Sequence, residues 1–196
     1  MLCLSLSGAL LESACGSLPA RGDDTAAQAG AIRAYQQQIQ ISGRITAHYQ
    51  QNGKPQTLPA GFDWEQSAGG IVLTLYSPLG QTIARISQDA HGARLEQEGQ
   101  SPRWAADLNQ LAAEALGWPL PVSGLRDWLQ GYVRQTDGRL QRLAAQDQTL
   151  DSEGWQLRYA SWQDPPDFPK RIDLHRYTDE AGEVSLRIVI DQWKTP

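Results

Sequence analysis

Cysteine is nearly absent from this sequence of 196 residues, with one at position 3 and one at 15. Two cysteines this close to the start leave the rest of the chain without a disulfide framework. Histidine is almost as sparse. His48, His91 and His175 lie far apart, and none has a metal-ligand spacing to cysteine or carboxylate. An excess of basic residues is missing too. The 17 Lys and Arg against 22 Asp and Glu give a formal net charge of -5, the wrong sign for neutralising phosphates, so no nucleic-acid partner is expected. No nucleophile elbow, phosphate-binding glycine loop or dinucleotide fingerprint occurs, and the "DD" at 23 and "DPPD" at 164 read as solvated loops. No enzyme activity, cofactor or metal is therefore expected. Phenylalanine is scarce as well, two residues against seven Trp and six Tyr. The aromatic content thus consists of rings with an apolar body and a polar tip, suited to a β core and to half-wet ligand or membrane boundaries.

What is present begins at the N-terminus. Leu2 to Leu11 is an apolar run too short for the roughly 20 residues of a membrane-spanning helix. It reads as the apolar region of an export signal. "ESAC" follows, with Ser13 and Ala14 immediately before Cys15, and resembles a bacterial lipobox, where cleavage leaves an N-terminal cysteine that becomes acylated. Glu12 stands where that pattern has leucine, and no Lys or Arg precedes the apolar run. The flanking Gly16, Ser17, Pro19, Gly22, Asp23 and Asp24 look like a solvated tether. The expected organisation is a signal peptide over 1–14, acylated Cys15 and tether over 15–27, and one domain over 28–196. A chain of this length can bury one real core.

Beyond the tether, "DDTAAQAGAIRAYQQQIQ" has Asp at its start and helix formers after it, which predicts an amphipathic helix. From Ile41 the period switches to two, through Gly43, Ile45, Ala47 and Tyr49, and "QNGK" carries the Asn-Gly hairpin signal. Short strands "TLPAGFDWEQ", "GGIVLTLYS", "TIARISQ" and "ARLEQEG" follow, separated by turn residues. A helical break over residues 101–130 puts Trp104, Leu108, Leu111 and Leu116 at helical spacing, then Leu125, Trp128 and Leu129 on a second helix. Strands return with "QRLAAQ", "WQLRYASWQ", "IDLHRYT" and "EVSLRIVIDQW". Roughly ten strands with helices only at the start and middle exclude βαβ alternation. The expected fold is mainly β with α, a curved antiparallel sheet with helices covering one opening.

Three stretches, in this order and spacing, resemble the LolB family of outer-membrane lipoprotein receptors. They are "ACGS" with its tether and Gln-rich segment, "FDWEQSAGGIVLTLYSPLGQT", and "LGWPLPVSGLRDWLQG". The resemblance implies an incomplete β-barrel capped by helices around an apolar cavity for acyl chains. It also implies a periplasmic carrier, LolA, as donor, and a lipid-anchored place on the inner leaflet of the outer membrane, facing the periplasm. Gly16, rather than Asp, after the cysteine fits that routing. The protein is expected to act as a monomer.

The same resemblance speaks to an oddity in "SPLGQT". Ser77, Pro78 and Gly80 are turn formers, yet Leu79 puts a large aliphatic side chain between them. In the family the leucine of the "PLG" turn protrudes and inserts cargo into the membrane, so Pro78, Leu79 and Gly80 are the expected insertion loop. Candidate cavity linings are Ile45, Trp64, Leu73, Leu75, Ile83, Ile86, Trp155, Leu157 and Ile188, although a shift of one residue in register would exchange the whole set. Trp104, Leu116 and Trp128 are the lid candidates. Two other functions remain open on the residues alone: a lipid-anchored, lipocalin-like binder of free apolar molecules, and a structural lipoprotein without a cavity.

Overall fold

The computed structural model describes residues 33–106, 108–163, 168–178 and 182–194. The chain runs through β1 (Ile39–Gln51), β2 (Lys54–Ser67), β3 (Gly70–Tyr76), β4 (Thr82–Asp89), β5 (Gly92–Glu96) and β6 (Arg103–Ala105) as one meander. Two helices follow, α1 (Leu108–Leu116) and α2 (Val122–Trp128), then a small hairpin, β7 (Tyr132–Arg134) with β8 (Leu140–Arg142). It ends in β9 (Gln148–Ser152), β10 (Trp155–Trp162), β11 (Pro169–Thr178) and β12 (Gly182–Lys194).

Ten strands form a single antiparallel sheet in the order β6-β5-β4-β3-β2-β1-β12-β11-β10-β9. Its two ends, β6 and β9, do not pair with each other, so the curved sheet stays open rather than closing into a barrel. The centre is the pairing of the first strand with the last, Ile45 opposite Ile188. Asn52 and Gly53 both have positive φ, at 53° and 71°. That is the requirement of the two-residue turn joining β1 to β2, and it explains the Asn-Gly pair.

One face of the sheet is apolar because the side-chain period is two. Ile41, Ile45 and Ala47 of β1, Phe62 and Trp64 of β2, Leu73 and Leu75 of β3, and Leu186, Ile188 and Ile190 of β12 are all buried. Leu111 and Ala112 of α1, with Leu125 and Trp128 of α2, complete the core from that side.

Two expectations need correction. The helix expected over residues 23–40 lies outside the described residues up to Ile32. From Arg33 to Gln38 the chain is not helical, and β1 begins at Ile39. Distant partners hold this segment's polar groups: the Gln36 amide donates to Gln130 Oε1 at 2.8 Å, and the Arg33 carbonyl accepts from Tyr132 Oη at 2.6 Å. Tertiary contacts outweigh the helix propensity of Ala and Gln there. The second correction concerns Trp104, which is not helical. It lies on β6, opposite Arg94 of β5, and α1 starts only at Leu108.

Candidate functional site

The turn after β3 is tightly braced. The Gly80 amide donates to the Ser77 carbonyl at 2.8 Å, the Ser77 amide to the Gln81 carbonyl at 2.8 Å, and the Gln81 amide to Ser77 Oγ at 3.2 Å. Gly80 has φ of 83°, a conformation that side-chain-bearing residues rarely adopt. Ser77 and Gly80 therefore fix the turn while Pro78 and Leu79 form its tip. Leu79 is 89% exposed, the most exposed large hydrophobic side chain among the described residues.

The inner face of the same strand leads to a chamber. Leu73 and Leu75 line it from β3, with Ile45 from β1, Phe62 and Trp64 from β2, and Ile188 from β12. Its other side is helical: Leu120 from the loop after α1, Leu125 on α2, and Leu129 just after α2. Every lining residue is apolar. The chamber is narrow, with a volume of about 10 Å³, roughly enough for one water molecule.

Two larger depressions are less suited to an apolar ligand. One of about 670 Å³ lies at the end of the strands opposite the Leu79 turn and includes Glu65, Asp89 and Lys194 in its wall. The other, about 410 Å³, lies on the outer face of β10 to β12 among Arg158, Arg171, Asp173 and Arg187. Arg171 and Arg187 both pair with Asp173, and Arg158 with Asp147. Charged groups in these walls oppose the burial of hydrocarbon, and of the three spaces only the small chamber has an entirely apolar lining.

Of the nine residues expected to line a cavity, Ile45, Trp64, Leu73, Leu75 and Ile188 do line the chamber. Ile86, Trp155 and Leu157 are buried in the same core but outside the chamber wall. Ile83 is half-buried at an irregularity where Leu75 faces Ala84 but Tyr76 faces Thr82, so it has no cross-strand partner on β3. The lid candidates separate. Trp128 is buried on α2, and Leu116 is half-buried on α1 against the core. Trp104 is 67% exposed on the outer face of the sheet, with the Arg94 guanidinium 5.4 Å from its ring centre, and takes no part in a lid. Sequence reasoning missed Phe62, Leu120, Leu125 and Leu129 as chamber residues. Phe62 was readable from its two-residue spacing to Trp64, and Leu125 and Leu129 from their four-residue spacing on a helix. Nothing marks Leu120, which stands between two prolines. Cys15 lies outside the described residues.

A polar belt surrounds α2. Tyr159 Oη donates to the Trp128 carbonyl at 3.0 Å, and burial pushes the Tyr159 hydroxyl far above its ordinary range, so it stays a donor. Burial, and then the hydrogen bond to Asp127, likewise raise the Tyr35 hydroxyl. Glu153, exposed at the turn between β9 and β10, is raised from its ordinary carboxyl value by partial desolvation and then by the charge of Asp127.

The model of the family described as "Outer membrane lipoprotein LolB" matches residues 37–193. The chain belongs to the LolB family. The match begins two residues before β1 and takes in the sheet, both helices, the Leu79 turn and the chamber. Curated relatives agree along nearly the whole chain. The outer-membrane lipoprotein LolB of Cupriavidus pinatubonensis is 37% identical over 98% of this chain and 94% of its own length. That of Cupriavidus taiwanensis is 40% identical, covering 97% and 94%. The LolB protein of Xanthomonas oryzae pv. oryzae is 30% identical, covering 97% and 95%.

Proposed function

We propose that this protein is a lipid-anchored receptor of the outer membrane, facing the periplasm. It accepts the acyl chains of lipoproteins from the periplasmic carrier LolA in the chamber under α2 and inserts them into the inner leaflet. The observation that carries this reading is the continuity of β3 with the turn that follows it. Leu73 and Leu75 lie in the chamber wall, and four residues past Leu75 comes the exposed Leu79. Four residues of chain span at most about 13 Å, so chamber and tip are close neighbours along the chain.

The energetics need no chemical step. Burying one leucine in acyl chains contributes about 1.5–3 kcal/mol, enough for a transient dip into a leaflet and far too little for an anchor. Anchoring falls to Cys15, whose acyl groups would each contribute about 0.8 kcal/mol per buried methylene. Cargo moves downhill from carrier to receptor to bilayer, and a tenfold preference at each step requires only about 1.4 kcal/mol. Sites that enclose a small ligand run to about 300–1,000 Å³. The chamber must therefore open to receive acyl chains, and its helical side is the one not fixed by a backbone ladder. A binder of free apolar molecules would need the chamber but not an exposed leucine on a rigid turn, so the receptor is the better reading.

The test is a handoff with purified components: LolA loaded with an acylated lipoprotein, the full chain, and liposomes. The cargo should pass to the receptor and then into the liposomes. Cargo that stays on the carrier in the presence of folded receptor would refute the proposal.

A further inference from the structure

The sheet side of the chamber is held by continuous backbone ladders from β3 through β2 and β1 to β12. The helical side has no such ladder. α2 is only seven residues long, and its C-terminal end is held by side chains: Tyr159 from β10, Arg134 from β7 and, most numerous, contacts with one short segment, residues 33–36. Asp127 is 5% exposed, and its carboxylate accepts from Tyr35 Oη at 2.8 Å and from Arg134 Nη2 at 3.0 Å. Gln130, 1% exposed, accepts from the Gln36 amide at 2.8 Å and donates to the Gln36 carbonyl at 3.1 Å. Arg33 Nη2 donates to the Gly131 carbonyl at 3.1 Å and the Leu143 carbonyl at 2.9 Å. Gln66, at the end of β2, donates to Tyr35 Oη and accepts from Trp64 Nε1, both at 3.3 Å, so the network reaches the chamber wall itself.

Apolar packing alone would bury the inner side of α2, but it is non-directional and would tolerate sliding. Buried hydrogen bonds to a carboxylate and an amide do not. They fix one position, and moving away leaves groups unpaired unless water reaches them. A short helix whose apolar residues wall a narrow chamber, and whose polar end is tied to a neighbouring segment, has two natural states. In one the ties hold and the chamber is shut. In the other they are released and solvated, and the helix can lift.

We propose that residues 33–36 are a strap that holds α2 over the chamber, with the Tyr35–Asp127 hydrogen bond as its clasp, and that acyl uptake requires the clasp to open. The inference rests on the acyl-chamber reading given above. It has a counter-intuitive consequence. The apparent affinity of a ligand is reduced by the fraction of protein in the competent state. Weakening the clasp should therefore tighten ligand binding, whereas loss of a merely structural bond would leave binding unchanged or weaken it.

The test uses the full chain carrying Cys15→Ala, so that no detergent is needed, and an anilinonaphthalene dye as the apolar probe in stopped-flow fluorescence. Tyr35→Phe removes the clasp hydroxyl but keeps the ring, which packs edge-on against Tyr132 with centroids 5.3 Å apart. Association rate and affinity should both rise on the order of tenfold, equivalent to about 1.4 kcal/mol. An unchanged or reduced affinity in the folded variant, with the parent chain binding the dye, overturns the strap alone. Binding by neither protein sinks the acyl-chamber reading and the strap with it. A second measurement needs no substitution in the strap. Saturating dye should release the Gln36 amide, which donates to Gln130 across the strap, to hydrogen exchange while the amides of β1 and β12 stay protected. Full protection of the Gln36 amide with dye bound overturns the proposal.

Discussion

Leu75 and Leu79 stand four residues apart, one 1% exposed in the chamber wall and the other 89% exposed at the tip of the next turn. One stretch of chain, the end of β3 and the turn after it, thus presents apolar surface both to the chamber and to solvent. The turn between them is rigid, so Leu79 cannot fold back without breaking the Gly80–Ser77 and Gln81–Ser77 hydrogen bonds.

Leu79→Glu should leave the fold and cargo uptake intact but stall delivery to membranes, because burying a charge in hydrocarbon costs several kcal/mol. The melting temperature should hardly move, since exposed positions usually shift stability by about 0.5 kcal/mol or less. Leu79→Ala should deliver at an intermediate rate. Scoring carrier-to-receptor and receptor-to-liposome transfer separately, beside a thermal melt, checks all three expectations. Normal delivery by the Glu variant would mean that the tip does not touch lipid.

Cys15 should be the acylated N-terminus of the mature protein. Small residues precede it and a polar tether follows, and two or more acyl chains give stable attachment where one gives only marginal binding. Mass spectrometry of protein taken from native membranes should find the lipid on that residue. A free Cys15 thiol on a full-length chain would contradict this.

How far the fold could be read ahead of the structure depended on how local each signal was. The period-two runs of β1, β2 and β12 and the Asn52–Gly53 turn are short-range, and each lies where its pattern placed it. The chamber wall was half legible: alternation locates Leu73 and Leu75, while Leu120 becomes part of it only when the loop between the helices folds over the sheet. Ile83 and Ile86, three residues apart, cannot share a face of a regular strand, and the irregularity at Tyr76 that half-buries Ile83 leaves no mark in composition. Residues 33–38 misled for the opposite reason. Their helix formers are real, but Gln130 and Tyr132, roughly a hundred positions away, take backbone groups of Gln36 and Arg33 that a helix would have used.

Alkaline stability should report on the tie between the sheet and α2. The Tyr159 hydroxyl is fully buried and its folded-state pKa lies far above its ordinary value. A raised folded pKa means that the stabilisation is complete below the unfolded value, near 10, and is lost as pH rises beyond it. The loss should approach about 1.4 kcal/mol per pH unit from this one group. Tyr35 and Tyr76 are shifted in the same direction and remain in a Tyr159→Phe variant. Urea unfolding at pH 9, 10 and 11 should therefore show a shallower decline for Tyr159→Phe than for the parent chain. Parallel declines would mean that Tyr159 ionises as readily folded as unfolded.

Gly124 offers a test of how tightly α2 is packed. Glycine inside a helix ordinarily costs about 0.5–1 kcal/mol relative to alanine, so Gly124→Ala would stabilise an isolated helix. Here a Cβ at that position would meet the six-membered ring of Trp128 at 2.5 Å, closer than real carbon contacts allow. Trp128 is itself fully buried and cannot swing into solvent. Overpacking of this kind costs about 1–3 kcal/mol, which outweighs the gain in helix propensity. Gly124→Ala should therefore be destabilising by about 1–2 kcal/mol net, seen as a lower urea midpoint with an unchanged slope. A variant more stable than the parent would show that Trp128 has room to move, and that the narrow chamber beside it is looser than its volume of about 10 Å³ implies.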